Sequence, residues 1–503
     1  MKKLKKHKAV HYILLFLGSI IASSCGVTSV HLSSYAKPGT DVSDVLQELV
    51  NKNDVVVMGS GTWIISKPIY LRSGVSIIGS ENGNTIVKLD EHAIANGGMK
   101  FTAFTTVKIK NNISITYSHN LPEKDYGRKM TKNIVIKNIV FDINRHRDFF
   151  SAAGRNIVTA YTSAIRFENC ENCKLINCHF LDYCEPDFHN GSAVVFIVKS
   201  KDCEVSGCYS DKCTFLAIIG SDCIIVRNNK GYNSVGTWIE TVGGGHHKIM
   251  GNYLCEVYRQ VSSIGINSIN CEISANTIDN PTGDETSCLT LGHYIPNPAS
   301  LGYYEMSARA DSAYVHHNIF KTEGVRVIYV QCGHDICIEN NSLSCKQISS
   351  NNLTGGAIGV RGGEDDFRGM IIKGNQFFVE GGGKGFVIQG QGLNDVLIEG
   401  NAVTADCESV IKVWHPTNKV ILKMNSVNNK GAYILDVQSV PTVIVDGNDF
   451  RGGSMTVTCE DFTFINNKWE SNSSDIILKG MGNKPLHKMI RENQLESNII
   501  MNF

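Results

Sequence analysis

Arg166, Glu168, Glu240, Asn267, Tyr329, Gln331, Arg361, Gln389, Lys412 and Trp414 stand at alternate positions of short β-rich runs, beside apolar residues such as Ile165, Phe167, Ile239, Ile266, Ile328, Val360, Ile388 and Val413. Successive side chains of a strand leave opposite faces, so the apolar set predicts an inward column and the polar set an outward one. An outward row of charged, amide and aromatic groups suits a polyhydroxylated chain. Trp and Tyr stack on pyranose faces, while Arg, Asn and Gln bond hydroxyls or carboxylates.

Two cleavage chemistries fit such a row. β-Elimination from a uronic-acid polymer needs a cation to neutralise the carboxylate, a base for the sugar-ring proton and an acid for the leaving oxygen. Arg361 or Arg166 is the candidate cation, His293 or Lys412 the base, and Tyr294 or Tyr329 the acid. Hydrolysis of a neutral glycan needs two carboxyls about 5 to 9.5 Å apart. Glu240 with Glu168, or Glu240 with a loop acid such as Asp365, are the candidate pairs. Glu168 and Glu240 lie in coils separated by two others, which puts their backbones roughly 14 Å apart and makes direct partnership a stretch. The bland alternative for Glu240 is a solvated surface acid. The His246-His247 pair after Gly243-Gly-Gly245 reads as ordinary turn residues, and residues 187–191 as a catalytic loop or a polar turn.

The elements that hold the row are set by a repeat. An apolar residue is followed three places later by Asn at Val135/Asn138, Val226/Asn229, Ile249/Asn252, Ile273/Asn276, Val315/Asn318, Ile338/Asn341, Ile372/Asn375, Ile398/Asn401, Leu422/Asn425, Val445/Asn448 and Phe464/Asn467. Most steps are about 19 to 26 positions, one supersecondary unit per repeat. Within a unit the runs are short and β-rich with no helical period, which predicts three strands per turn of a parallel β-helix. Asn is expected at a corner, because its amide tolerates left-handed backbone and can bond the matching Asn one coil above.

The long steps bear on the same face. Asn276 to Asn318 is 42 positions, with the surplus after Leu291 beginning Gly292-His293-Tyr294, and the 34 positions from Asn341 to Asn375 carry Glu364, Asp365 and Asp366 just after Arg361. A third surplus, residues 144–155, precedes Ile165. Insertions that flank one strip of a rigid scaffold are a usual place for binding and catalysis. The acid run at 364–366 could hold Ca²⁺, although a solvated turn is the commoner use of such a run.

With the repeat and the N-terminal phrase Asp54-Val-Val-Val-Met, Gly61-Thr-Trp-Ile-Ile and Gly74-Val-Ser-Ile-Ile-Gly79, the chain resembles the right-handed parallel β-helix, or pectate-lyase-like, superfamily. The resemblance implies a β-helix over residues 41–478 with a short amphipathic capping helix at residues 41–50. It implies little about activity, since that superfamily holds lyases, hydrolases, esterases, epimerases, tailspikes and plain binders. The adjacent Asp pair with Gly-His-Gly of polygalacturonase-like hydrolases and the Asp-Pro-His-Glu of mannuronan epimerases are absent, which disfavours those activities.

Residues 1–24 concern address. Five Lys residues precede an apolar run over residues 9–22, too short to span a bilayer comfortably, so a secretory signal is expected. Ala22-Ser23-Ser24-Cys25 resembles a bacterial lipobox, with Ala22 where Leu is usual, and implies lipidation of Cys25 and anchoring at the outer membrane or cell surface. Without lipidation the chain would be secreted. Residues 25–40 then read as a linker, and 479–503 as a C-terminal cap or tail, with Leu486, Ile490 and Leu495 at near-helical spacing. The formal charge is zero, from 48 basic and 48 acidic residues, so no nucleic acid partner is demanded. Of 17 Cys, many share the inward parity of the ladder hydrophobes, as do Cys173, Cys203 and Cys271, and reduced core thiols are favoured over disulfides. No zinc-site spacing is present, and no other cofactor is called for. The expectation is an exported protein that engages a polysaccharide and cleaves it as a lyase or hydrolase, the alternative being a noncatalytic glycan-binding or adhesive surface lipoprotein.

Overall fold

The short β-rich runs build coils of three strands, each strand pairing in parallel with its counterpart one coil away. The computed structural model describes residues 27–90, 102–107, 129–143, 163–181, 193–234, 236–257, 262–280, 287–292, 309–324, 326–346, 356–361, 367–391, 395–414, 417–470, 474–482, 485–496 and 499–502. The result is a single-stranded right-handed parallel β-helix, with one short α-helix, Ser43–Lys52, whose Leu46, Leu49 and Val50 are buried near its first coils. The first sheet includes Ser163–Glu168, Val195–Val198, Leu216–Asp222, Ile239–Gly245, Ile264–Ile269, Leu289–Leu291, Arg326–Val330, Gly356–Arg361, Phe386–Gln391 and Ser409–Trp414. The second and third sheets follow in each coil, as in Ile225–Arg227 and Lys230–Ser234.

Each sheet contributes one inward ladder. In the second sheet it runs Ile136, Leu175, Val205, Val226, Ile249, Ile273, Val315, Ile338, Ile372, Ile398, Leu422, Val445 and Phe464, none more than 2% exposed. Full burial of each such side chain contributes about 1.5–3 kcal/mol, and stacking in register is what buries it. Among the described residues fifteen Cys are free thiols, and those of the expected inward stack, Cys173, Cys203 and Cys271, are buried. Burial pushes the Cys178 and Cys271 thiols up to about 12, so both are inert core residues.

The Asn ladder is present, with two corrections. The left-handed residue is the one before each ladder Asn, namely Asn228, Gly251, Ala275, His317, Asn340, Gly374, Gly400, Met424, Gly447 and Asn466. The Asn itself lies inside the corner, where its side chain closes the turn. Asn138 is one of the left-handed residues, and Ile139 takes the ladder position in its coil, aligned with Cys178. The second correction is at the C-terminal end. Ile490 and Leu495 belong to further strands, His487–Arg491 and Gln494–Leu495, with Leu486 just ahead of the first, and Asn493 extends the ladder by accepting from Asn467.

The third-sheet inward column breaks at one place. Between Phe180 and Leu254 it narrows to Ser210 and Gly231, and the Trp238 indole fills the gap. Its Nε1 donates to Ser210 Oγ at 2.8 Å, and a Cβ on Gly231 would stand 2.4 Å from the ring. The indole stacks on Phe215 at 5.6 Å between centroids. Trp238 immediately precedes Ile239 and Glu240, so this plug fixes the strand that carries Glu240.

Candidate functional site: the outer face of the first sheet

Register pairs order the outward positions of the strands into two columns. The first reads Arg166, Phe196, Ala217, Glu240, Gly265, Thr290, Tyr329, Gly359, Gln389, Lys412 and Asp436. The second, two residues further along, includes Glu168, Val198, Ile219, Val242, Asn267, then Arg361, Gln391, Trp414 and Gln438. Sequence reading identified Arg166, Glu168, Glu240, Asn267, Tyr329, Arg361, Gln389, Lys412 and Trp414, and missed Gln391, Asp436, Gln438, Phe196 and the small residues Ala217, Gly265, Thr290 and Gly359. Parity alone could have found the last five, since they follow the inward residues Val195, Leu216, Ile264, Leu289 and Ile358.

The small residues decide the shape. Glu240 stands in a depression with Ala217 before it and Gly265 and Thr290 after it, bounded by the rings of Phe196 and Tyr329. Those rings are five coil steps apart, about 24 Å at the spacing of paired strands. A Cβ added at Gly265 would meet Thr237 Cγ2 at 3.4 Å and Glu240 Cγ at 3.9 Å, so the glycine opens space directly beside the carboxylate's stem.

Electrostatically the face divides into neutralised ends and an unneutralised middle. Arg166 Nε donates to Glu168 Oε2 at 2.7 Å, both residues are buried, and the guanidinium lies 5.5 Å from the Phe196 ring centroid. Lys412 Nζ is 3.5 Å from Glu408 and 3.6 Å from Asp436, with the Phe386 ring beneath it at 4.7 Å. Neither Arg166 nor Lys412 is therefore a free cation or base, and Glu168 is not a free carboxylate. Glu240 has no hydrogen bond or ion pair among the described residues, is partly buried, and burial raises its carboxyl above the ordinary glutamate value. Asn267, one coil on and two residues along, has a buried Oδ1 that accepts no hydrogen bond among the described residues, while its backbone N–H donates to Thr241 Oγ1 at 3.2 Å.

The other candidates are placed as follows. Tyr329 is partly buried, with the Arg326 guanidinium 4.2 Å from its ring centroid. Gln331 follows the same strand and its backbone N–H donates to Leu291 O at 2.8 Å. Gln389 is 1% exposed, too deep to reach a ligand by its present surface. Trp414 is partly buried between the register neighbours Gln391 and Gln438. Arg361 closes its strand opposite Gln391, and its side chain lies outside the described residues. His293, Tyr294, residues 187–191, the acids 364–366, residues 144–155 and the whole segment to Cys25 also lie outside them. The strand ahead of His293 and Tyr294 is two coils beyond that of Glu240, about 10 Å, whereas the Arg361 strand is four coils beyond, about 19 Å.

The two turn histidines differ. His246 is exposed with φ 58°, but His247 is wholly buried in the core column between Ile224 and Cys271. Its Nδ1 accepts from Ile224 N at 3.3 Å, its Nε2 has no partner, and burial lowers its pKa to about 4.

No family model and no curated protein matches this chain. Among solved structures it is similar to gene product 12 of bacteriophage phi29 in its pre-mature form, at 12% identity and TM-score 0.52, covering 93% of this chain and 70% of that one. It is also similar to the tailspike protein of Escherichia coli bacteriophage HK620, solved in complex with a pentasaccharide, at 11% identity and TM-score 0.51, covering 84% and 76%. At these identities the likeness establishes the parallel β-helix and nothing about the site.

Proposed function

We propose that this protein binds a polysaccharide along the outer face of the first sheet and cleaves it, with Glu240 as the proton donor to the leaving oxygen. The carrying observation is the Glu240 carboxyl: unpartnered among the described residues, desolvated, and set in a depression between two aromatic rings. A carboxyl whose pKa is raised by burial suits a general acid, which must carry its proton near neutral pH. The pentasaccharide of the phage tailspike supports a glycan as the ligand of such a scaffold. Hydrolysis is favoured over elimination, because Arg166 and Lys412 are already neutralised by neighbouring acids.

The test is incubation of the chain from Cys25 onward with a panel of uronate and neutral polysaccharides, reading ultraviolet absorbance of unsaturated products and new reducing ends. Reducing ends alone are expected, and Glu240→Gln should lower the rate by about 10²–10⁴-fold. Absorbance rising with them would replace hydrolysis by elimination. The second reading is a noncatalytic glycan binder, favoured by one fact: between Glu168 and Asp436 no other carboxylate stands in the two outward columns among the described residues. Binding without product from any glycan would establish it.

Export and lipidation belong to the same proposal, supported by the signal-like run and Cys25. Cys25→Ser should move the protein from the membrane fraction to the soluble fraction, and an unchanged distribution would remove the anchor.

A further inference from the structure

The shape and charge of the depression narrow the ligand further, on the reading that this face binds a glycan. A uronate seated beside Glu240 would bring a desolvated charge to a stretch that offers it no free cation among the described residues. The nearest cations in the same column are Arg166, held by Glu168 at 2.7 Å, and Lys412, held by Glu408 and Asp436. Arg326 lies across Tyr329, at the far boundary. Taking a charge out of water without a partner costs several kcal/mol.

Hydrogen-bond direction gives an independent argument. Asn267 Oδ1 is buried and lacks a donor among the described residues. At the Gly265 end of the same strand the hydroxyls already satisfy one another, Ser287 Oγ lying 2.8 Å from Thr290 Oγ1 and 3.1 Å from Ser262 Oγ. The depression therefore asks its occupant for a donor. The carboxylate edge of a uronate has none to offer there, whereas a hydroxymethyl group or an amide N–H does. An unmet buried acceptor is costly, so a ligand that supplies the donor is selected over one that cannot.

We propose that the stretch of the face between Phe196 and Tyr329 takes an uncharged sugar ring bearing hydrogen-bond donors, a hydroxyl or an N-acetyl amide, in place of a uronate. The ring lies over Gly265, with Glu240 and Asn267 on its polar edge and the flanking aromatics stacking on the sugars to either side.

Calorimetric titration with length-matched oligomers of glucose, N-acetylglucosamine and galacturonate, at neutral pH and low salt, tests this. At least one uncharged oligomer should bind about 10-fold or more tighter than galacturonate. Gly265→Leu should fill the depression and abolish uncharged-ring binding while circular dichroism stays unchanged. Asn267→Asp, which keeps the shape and adds charge, should weaken uncharged-ring binding less than Gly265→Leu and exclude galacturonate further. Galacturonate binding as tightly as the uncharged oligomers to the wild-type protein would overturn the inference and leave glycan recognition standing. Uncharged-oligomer binding untouched by Gly265→Leu would also overturn it, placing the ligand elsewhere. Failure of all three oligomers and of every polysaccharide in the panel would overturn the glycan reading and this inference with it.

Discussion

Along the ladder corner the same amide recurs coil after coil, while along the first-sheet face the outward residue changes at nearly every step. From Asn229 to Asn467 each Asn accepts from the coil before it or donates to the coil after it, at 2.8–3.2 Å, and each is at most 3% exposed. On the face, Phe196, Ala217, Glu240, Gly265, Thr290 and Tyr329 follow one another, and Glu240 and the Asn267 oxygen have no partner among the described residues. Both strips ride on the same coil. A repeated polar residue with every bond closed is a structural device, and a varied strip with bonds left open is where a ligand can gain binding energy.

That contrast can be broken most directly at the ladder. Asn341 donates to Val315 O at 2.9 Å, Glu339 O at 3.0 Å and Asn375 Oδ1 at 2.9 Å, and accepts from Asn318. Asn341→Ala leaves several buried groups unsatisfied and should cost about 3–5 kcal/mol in urea unfolding, at roughly 1–3 kcal/mol per stranded group. A loss no larger than that of an exposed surface substitution would show that the ladder is not the structural strip.

His247 sharpens the comparison within the core. Its pKa falls from 6.5 unfolded to about 4 folded, so the unfolded chain binds the proton first on acidification. The stability it contributes is present above pH 6.5 and is lost as pH falls toward 4, in total roughly 3 kcal/mol. His247→Leu, flanked by Ile224 and Cys271, should remove that part of the acid sensitivity. Parallel unfolding curves at neutral and acidic pH for both proteins measure it, and equal pH slopes would mean that His247 is not kept neutral.

The smallest effect is backbone strain beside the ladder. Ala275 holds φ 53° at an exposed corner, where an L-residue is strained by about 1–2 kcal/mol and glycine carries an entropic cost of roughly half that. Ala275→Gly should raise the unfolding midpoint slightly, by under about 1 kcal/mol. A lowered midpoint would mean that the corner geometry is not imposed by the ladder.

Much of this was legible before any coordinates. The step from hydrophobe to Asn located the corner in nearly every coil, because a solenoid must repeat its core residue to bury it. It failed at Asn138, where Asn serves the left-handed position and Ile139 the corner; three-residue spacing cannot distinguish two adjacent slots that both favour Asn. It also failed beyond Leu478, where Asn493 continues the ladder but the apolar spacing imitates a helix. On the face, parity correctly separated Glu240 and Tyr329 from the core.

The sequence by itself determined the coil, the inward ladders and which side chains face out, since these depend on period and parity, properties local to each strand. Only the tertiary structure decided which outward groups are free. Arg166 is held by Glu168, Lys412 by Asp436, and Gln389 is buried, whereas Glu240 stands alone behind a Trp238 plug seated on Ser210 and Gly231. Pairing and desolvation depend on neighbours supplied by other coils, tens of residues away in the chain, and so no local pattern encodes them.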